Sequence, residues 1–321
     1  MIPRVKIAHL PTPLESMPRL SAFLKDVRLW IKRDDLTGLA FGGNKTRKLE
    51  LLLADAQSQG ARTLVTVGAA QSNHCRLTAA VAAKFGMDCI LVLSGDPQQA
   101  GNGNFLLDEL FGAELVWTEK SIRDETLHQV YLKAWEDGRR PYKIPLGAST
   151  PLGTLGYYFA FEELSAQSDE FDWIVVASSS AGTQAGLILG AHAAGWSGRI
   201  LGISIDHPRA ALRATIADLV HGASDWVNSP VQVDDSAIIV NDDYLGAGYG
   251  VPSLLEFEAM HLFARYEGIV LDPVYTGRSA GAMIDLVRKG FFKKGERILF
   301  WHTGGAPSLF AQQYAPLLKG S

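Results

Sequence analysis

The chain has 321 residues, of which 47% are apolar and 20% charged, and a formal net charge of −4. Such a length buries a large core and suggests two domains or two closely packed lobes. The charge gives no electrostatic case for nucleic acid or an anionic membrane, no apolar run approaches the ~20 residues of a membrane helix, and no export pattern opens the chain, so a cytoplasmic protein is expected.

Apolar β-branched runs alternate with helical patterns along the chain. Thr63 to Val67 reads as a buried strand, followed by a helix from Asn73 to Phe85. Cys89 to Leu93 is the next strand, then come a helix through Phe105 to Phe111 and a strand from Glu114 to Trp117. A long helix follows from Ser121 to about Asp137, then a short strand at Tyr142 to Ile144 and a helix from Gly153 to about Ala166. The pattern resumes with a strand from Trp173 to Ala177, a helix from Thr183 and a strand from Arg199 to Ser204. Near the end come a helix from Pro252 to Tyr266, a strand at Ile269 to Leu271, a helix from Ser279 and a strand from Arg297 to Trp301.

This alternation argues for an α/β fold of parallel-rich sheets covered by helices on both faces. The Gly/Ser/Pro-rich stretch from Pro145 to Gly153 is the candidate boundary between lobes, and no fixed-period repeat or low-complexity tract interrupts the pattern. Cys75 and Cys89 lie in apolar contexts and read as buried free thiols rather than a disulfide. His74 adjoins Cys75, but the other histidines are scattered, so no metal site is expected. There is no Gly-x-Ser-x-Gly elbow for a hydrolase triad.

In such sheets ligands bind at the carboxyl ends of strands, which directs attention to the loops there. Gly68 to His74 offers a hydroxyl, two amides and an imidazole beside a helix N-terminus, suited to an anion or a carboxylate; a plain helix cap by Ser72 or Asn73 is the alternative. Ser178 to Gly186 is rich in small residues, so several backbone N–H groups converge in front of a helix and cradle a phosphate. It lacks the Gly-Lys-Ser/Thr ending of a P-loop, and Gly101-Asn102-Gly103 and Gly246 to Gly250 fail the dinucleotide spacing. Leu271 to Arg278 and His302 to Pro307 are strands followed by polar turns, which loop chemistry alone does not separate from ordinary turns.

Lys45 follows Gly42-Gly43-Asn44 where a glycine turn gives way to a helix. Two glycines permit tight positive-φ geometry, and Asn44 is a suitable N-cap. A lysine amine near the positive end of a helix dipole has its charged form disfavoured, which suits it to form a Schiff base with an aldehyde such as pyridoxal phosphate. The alternative is a solvated lysine in a first helical turn.

Together these motifs resemble the fold-type II pyridoxal-phosphate enzymes, specifically the group of D-cysteine desulfhydrase and 1-aminocyclopropane-1-carboxylate (ACC) deaminase. The resemblance runs from Pro11-Thr12-Pro13-Leu14-Glu15 and Lys32-Arg33-Asp34-Asp35, through Gly42 to Glu50 and Gln71-Ser72-Asn73-His74, to His302-Thr303-Gly304-Gly305. It implies a two-domain, tryptophan synthase β-like fold, with a larger cofactor-binding domain from residues 1–50 and 161–321. A smaller α/β domain from 51–160 would face it across the active-site cleft. It also implies a homodimer acting on a small amino acid.

The resemblance further implies residue roles. Lys45 would carry the cofactor and, once released by substrate, move the α-proton. Lys48 and the backbone of Ser180, Ala181, Gly182, Thr183 and Gln184 would hold the phosphate. Asn73 would meet the cofactor's 3′ oxygen and also border the substrate. Ser72 with Gln71 would meet the substrate carboxylate or shuttle a proton, and Tyr249 and Tyr275 match the two active-site tyrosines. Thr276 stands where the deaminases carry a glutamate against the pyridine nitrogen. Thr303, on the substrate side, stands where they tend to carry leucine.

Both departures follow the desulfhydrase pattern, and a neutral Thr276 suits β-elimination, which works with a weaker electron sink than opening of a cyclopropane ring. The expected reaction is therefore conversion of D-cysteine to pyruvate, hydrogen sulfide and ammonia. Alternatives are an L-cysteate sulfo-lyase, with Arg76 or Arg278 on the sulfonate, and then ACC deaminase. A non-enzymatic binder would need the lysine chemistry to be vestigial.

Overall fold

The computed structural model describes residues 2–97, 101–168, 170–227 and 233–314; the end of the expected larger domain, 315–321, lies outside them. Strands β1 (Leu14–Ser16), β2 (Arg28–Arg33), β7 (Trp173–Ser178), β8 (Arg199–Ser204), β9 (Ile239–Asn241) and β10 (Arg297–His302) form one sheet. Its order is β1-β2-β10-β7-β8-β9, and every pairing except β1 with β2 is parallel. Strands β3 (Thr63–Ala69), β4 (Asp88–Ser94), β5 (Glu114–Thr118) and β6 (Pro141–Ile144) form a second, all-parallel sheet in the order β5-β4-β3-β6.

Alternate residues of each strand enter different cores, as the two-residue period of a strand requires. In the six-stranded sheet, Ile174, Val176, Leu299 and Trp301 pack beneath α6 (Pro151–Gln167), α7 (Gly182–Ala193) and α8 (Arg209–Ser224). Their neighbours Trp173, Val175, Ile298 and Phe300 pack against α1 (Pro18–Leu24), α9 (Leu254–Leu262) and α10 (Thr276–Arg288). The smaller sheet repeats the scheme. Leu64, Leu91 and Leu93 face α2 (Lys45–Ser58) and α3 (Asn73–Lys84), while Val65, Val67, Ile90 and Val92 face α5 (Arg123–Glu136). The expected parallel-rich sheets with helices on both faces are therefore present. Among the described residues no helix is long and apolar enough to cross a membrane. Cys75 and Cys89 are both buried and unbonded.

The Lys32-Arg33-Asp34-Asp35 motif anchors the helix that carries Lys45. Asp34 is fully buried at the end of β2 and accepts from Arg47 on α2, Trp301 Nε1 on β10, Tyr157 on α6 and Thr12. Burial alone would raise its pKa, but the Arg47 guanidinium holds it below the usual carboxylate value. One carboxylate thus ties α2, α6 and β10 to the end of β2.

Three details differ from the sequence expectations. Ile269 to Leu271 is no strand and joins neither sheet. Ile269 and Leu271 are buried as expected of an apolar run, without a ladder. The helix expected from Ser279 begins earlier, at Thr276, with Asp272 gathering the backbone N–H groups of Val274, Tyr275 and Thr276. The helix expected to run to Tyr266 ends as α9 at Leu262 and continues as one π turn, Phe263–Glu267.

Candidate active site

The carboxyl ends of strands from both sheets converge on one cavity. Ala69 and Ser94 reach it from the smaller sheet, and Ser178, Asp206 and Thr303 from the larger. Lys45 lies on its wall.

Gly42 and Gly43 have φ of +64° and +126°, and a Cβ on Gly42 would stand 2.2 Å from Asp35 O, so the turn before Lys45 demands glycine. Asn44 occupies the cap position, but its side chain makes no cap bond. Its Nδ2 donates instead to Thr183 Oγ1 at 3.0 Å, which ties the Lys45 turn to the serine-rich loop. Lys45 Nζ donates to Gly147 O at 3.2 Å and lies 3.5 Å from Ser180 Oγ. Burial pushes its pKa down to about 8. A neutral amine is accessible there near physiological pH, which is what attack on an aldehyde requires.

Lys48 is fully buried one turn further on and donates to Ser149 Oγ at 3.1 Å, and Ser149 Oγ donates to Ser180 Oγ at 2.8 Å. Burial, and then the charge of Lys45, hold its pKa well below that of a free lysine. Ala181 turns the chain into α7 with a φ of +67°, a conformation that L residues adopt at a cost. A Cβ at Gly182 would stand 2.9 Å from Lys48 Nζ and 2.8 Å from Ser149 Oγ, so the helix start and the lysine close on one another. Gly182 N donates to Ser180 O at 2.8 Å, while the N–H groups of Thr183 and Gln184, in the first turn, have no partner within the helix. The Gln184 side chain is buried away from the cavity and donates to Ile239 O at 2.8 Å.

Ser72 holds two positions at once. It caps α3 by accepting from Cys75 N at 3.2 Å, and it lies on the cavity wall beside Asn73. Gln71 is not brought to that wall: its Nε2 donates to Asn102 O at 2.7 Å and its Oε1 accepts from Asn104 N at 2.9 Å. Thr66 donates its hydroxyl proton to Ile144 O at 2.8 Å, so His74 must donate Nε2–H to Thr66 Oγ1. That leaves His74 Nδ1 an acceptor without a partner among the described residues, and burial keeps the ring neutral.

Tyr249 and Tyr275 meet, with hydroxyls 2.8 Å apart on the wall and their pKa values raised by burial. The two threonines differ. Thr303 is on the wall, whereas Thr276 is fully buried off it and donates its hydroxyl to Asp272 Oδ1 at 2.7 Å. The expected hydroxyl at the pyridine nitrogen is thus one already committed to Asp272. Arg76 and Arg278 are also off the wall: Arg76 bonds Gly42 O and Asn104, and Arg278 bonds Glu256 and the 248–251 loop. Lys120, Arg123 and Asp206 do line the cavity and were missed in the sequence. All three follow strand ends, so a search of every such loop would have found them.

The wall fits pyridoxal phosphate. It offers an amine for the aldehyde, first-turn N–H groups for the phosphate, and the Asn73 amide for the phenolic oxygen. The side-chain atoms Ser178 Oγ, His74 Nδ1 and Asp206 Oδ1 are buried there with no hydrogen-bond partner among the described residues.

Comparisons with known proteins agree. The sequence profile described as "Pyridoxal-phosphate dependent enzyme" matches residues 5–304. D-cysteine desulfhydrase of Klebsiella pneumoniae is 42% identical over 318 residues, 96% of each chain. The 1-aminocyclopropane-1-carboxylate deaminase of Methylobacterium nodulans is 42% identical over 327 residues, 97% of each. A solved ACC deaminase homologue superposes with a TM-score of 0.91 at 39% identity, covering 99% of this chain and 96% of its own. An L-serine ammonia-lyase from Rhizomucor miehei, at a TM-score of 0.70 and 16% identity, shares the fold, covering 98% of this chain and 99% of its own. The chain belongs to the pyridoxal-phosphate dependent enzyme family, with the fold-type II architecture and pyridoxal phosphate as its cofactor.

Proposed function

We propose that the protein catalyses β-elimination from D-cysteine, which with one water gives pyruvate, hydrogen sulfide and ammonia. Overall identity does not separate a desulfhydrase from a deaminase, since the relatives of both kinds stand at 42%. The observation that carries the reading is a neutral pair of positions: Thr276 has no carboxylate to offer, and the side chain on the cavity wall is the Thr303 hydroxyl.

Bound pyridoxal phosphate supplies an aldehyde that captures the amino acid and a ring that withdraws electrons from its Cα. Lys45 Nζ holds the cofactor and takes the α-proton. The N–H groups of Thr183 and Gln184, backed by Lys48 through Ser149, hold the phosphate. Asn73 donates to the phenolic oxygen, and Thr303 supplies the neutral hydroxyl for the ring nitrogen that Thr276 has given to Asp272. Ser72 Oγ positions the substrate carboxylate, and the Tyr249–Tyr275 pair moves a proton at the departing sulfur. The two domains about this cleft are those expected, residues 1–50 with 161–321 and residues 51–160, with the boundary moved ahead of α6, whose Leu155, Tyr157 and Phe161 pack in the larger sheet's core; the assembly is a cytoplasmic homodimer.

A second reading, an L-cysteate sulfo-lyase, draws support from Lys120 and Arg123, cations on the wall that suit a sulfonate. Purified holoenzyme given D-cysteine should be yellow and release sulfide and pyruvate in equal amounts. Lys45→Ala should lose the cofactor's visible band and at least several orders of magnitude of rate. A colourless protein that stays colourless with added cofactor overturns the proposal.

A further inference from the structure

Asn104 opens α4 (Asn104–Leu110) and is fully buried. It follows Gly103, whose φ is +67° and whose Cβ, if present, would lie 2.5 Å from Gln71 Oε1 and 3.0 Å from Pro307 O. Glycine therefore lets this turn press against the loop that carries Ser72 and Asn73. The segment begins with the Gly101-Asn102-Gly103 run that fails as a dinucleotide motif, and its place in the fold gives it another role.

The polarity of the amides here follows from their partners. Arg76 Nη1 only donates, and it meets Asn104 Oδ1 at 3.1 Å. Asn104 Nδ2 then faces Gln71 O at 2.9 Å and spends its second proton on Asn73 Oδ1 at 2.8 Å. With its oxygen so occupied, Asn73 has its Nδ2 donors left for the cavity it lines. Arg76 is itself held by Gly42 O at 2.7 Å, in the turn before Lys45.

We propose that Asn104, clamped by Arg76, is a positioning residue that fixes the Asn73 amide with its donors toward the phenolic oxygen of the cofactor. This rests on the assignment of Asn73 to that oxygen. Donors there favour the ionised oxygen, and an amide turned over would present an acceptor and disfavour it.

The test is the visible absorption of the holoenzyme, titrated with pH, for Asn104→Asp, Asn73→Ala and the double variant. Aspartate at 104 still accepts from Arg76 but has no proton for Asn73, whose amide then turns over. The expected result is that Asn104→Asp and Asn73→Ala both move the titration of the visible band upward, on the order of one pH unit. The double variant should move it no further than the larger single effect, and turnover of Asn104→Asp should fall about tenfold. If Asn104→Asp does not load cofactor, Asn104→Ala replaces it, since it removes the same donor without adding charge. An Asn104 variant that titrates as the unmodified protein, beside a shifted Asn73→Ala, overturns the positioning role and leaves the Asn73 assignment standing. An Asn73→Ala protein that titrates normally overturns that assignment and the inference with it.

Discussion

Lys45 and Lys48 share one acceptor: both amines donate to the carbonyl of Gly147, at 3.2 Å and 3.3 Å. Burial makes the charged form of each amine costly, and the charge of Lys45 adds to that cost at Lys48. An anion bound at the start of α7, beside Lys48, would relieve that cost, which supports the phosphate site proposed there.

The pair has a consequence for the cofactor-free protein. Lys45 has a pKa near 8 in the folded chain against 10.5 when unfolded. Below about pH 8 both states carry the proton, and the folded state bears the full burial penalty. Between about 8 and 10.5 the unfolded state binds the proton that the folded state lacks, so stability rises with pH. Replacing Lys45 with Met should therefore stabilise the cofactor-free form by about 3 kcal/mol at pH 7. The gain should shrink as the pH approaches 10.5. Denaturant melts across that range check it, and a gain independent of pH would contradict it.

Ser72 is both cap and wall residue, so Ser72→Ala should register twice. Loss of the bond from Cys75 N should cost ~0.5–2 kcal/mol of stability. Loss of a group that positions the substrate should lower turnover by ~100-fold, with cofactor still bound through Lys45. Melting temperature and turnover measured on the same protein report the two effects. Near-normal turnover with a lowered melting temperature would return Ser72 to capping alone.

The two threonines should separate by readout. Thr276→Val removes a hydroxyl that donates to Asp272 Oδ1 and accepts from Asp272 N, which should cost ~1–3 kcal/mol of stability. The visible spectrum should then change little. Thr303→Val removes the hydroxyl on the wall, so it should alter the spectrum while stability holds within about 1 kcal/mol. The opposite pattern would restore Thr276 as the partner of the ring nitrogen.

What the sequence revealed of this site depended on how local the signal was. Lys45, Ser72 and the serine-rich loop announce themselves through glycine, capping and small-residue chemistry within a few neighbours. Thr276 and Thr303 are alike in sequence, and only the fold decides which hydroxyl reaches the wall. Lys120, Arg123 and Asp206 carry no motif; their place after β5 and β8 makes them relevant. The strands β7 and β10 were legible as unbroken apolar runs because both faces are covered. At Ile269 to Leu271 the same signal reported burial without pairing, since an apolar run does not reveal whether a neighbouring strand has a free edge. Helix α8, the charged strand β2 and the short β9 escaped the pattern of alternating apolar runs.

β-Elimination from D-cysteine at the Lys45 cavity is decided by keto-acid release from D-cysteine, L-cysteine, L-cysteate and ACC, compared as kcat/KM on one preparation. D-cysteine should exceed ACC and L-cysteine by ~100-fold or more, and it should exceed L-cysteate, with sulfide matching pyruvate. A preference for L-cysteate would transfer the assignment to the sulfo-lyase reading supported by Lys120 and Arg123. Turnover of ACC above that of D-cysteine would contradict the roles given to Thr276 and Thr303.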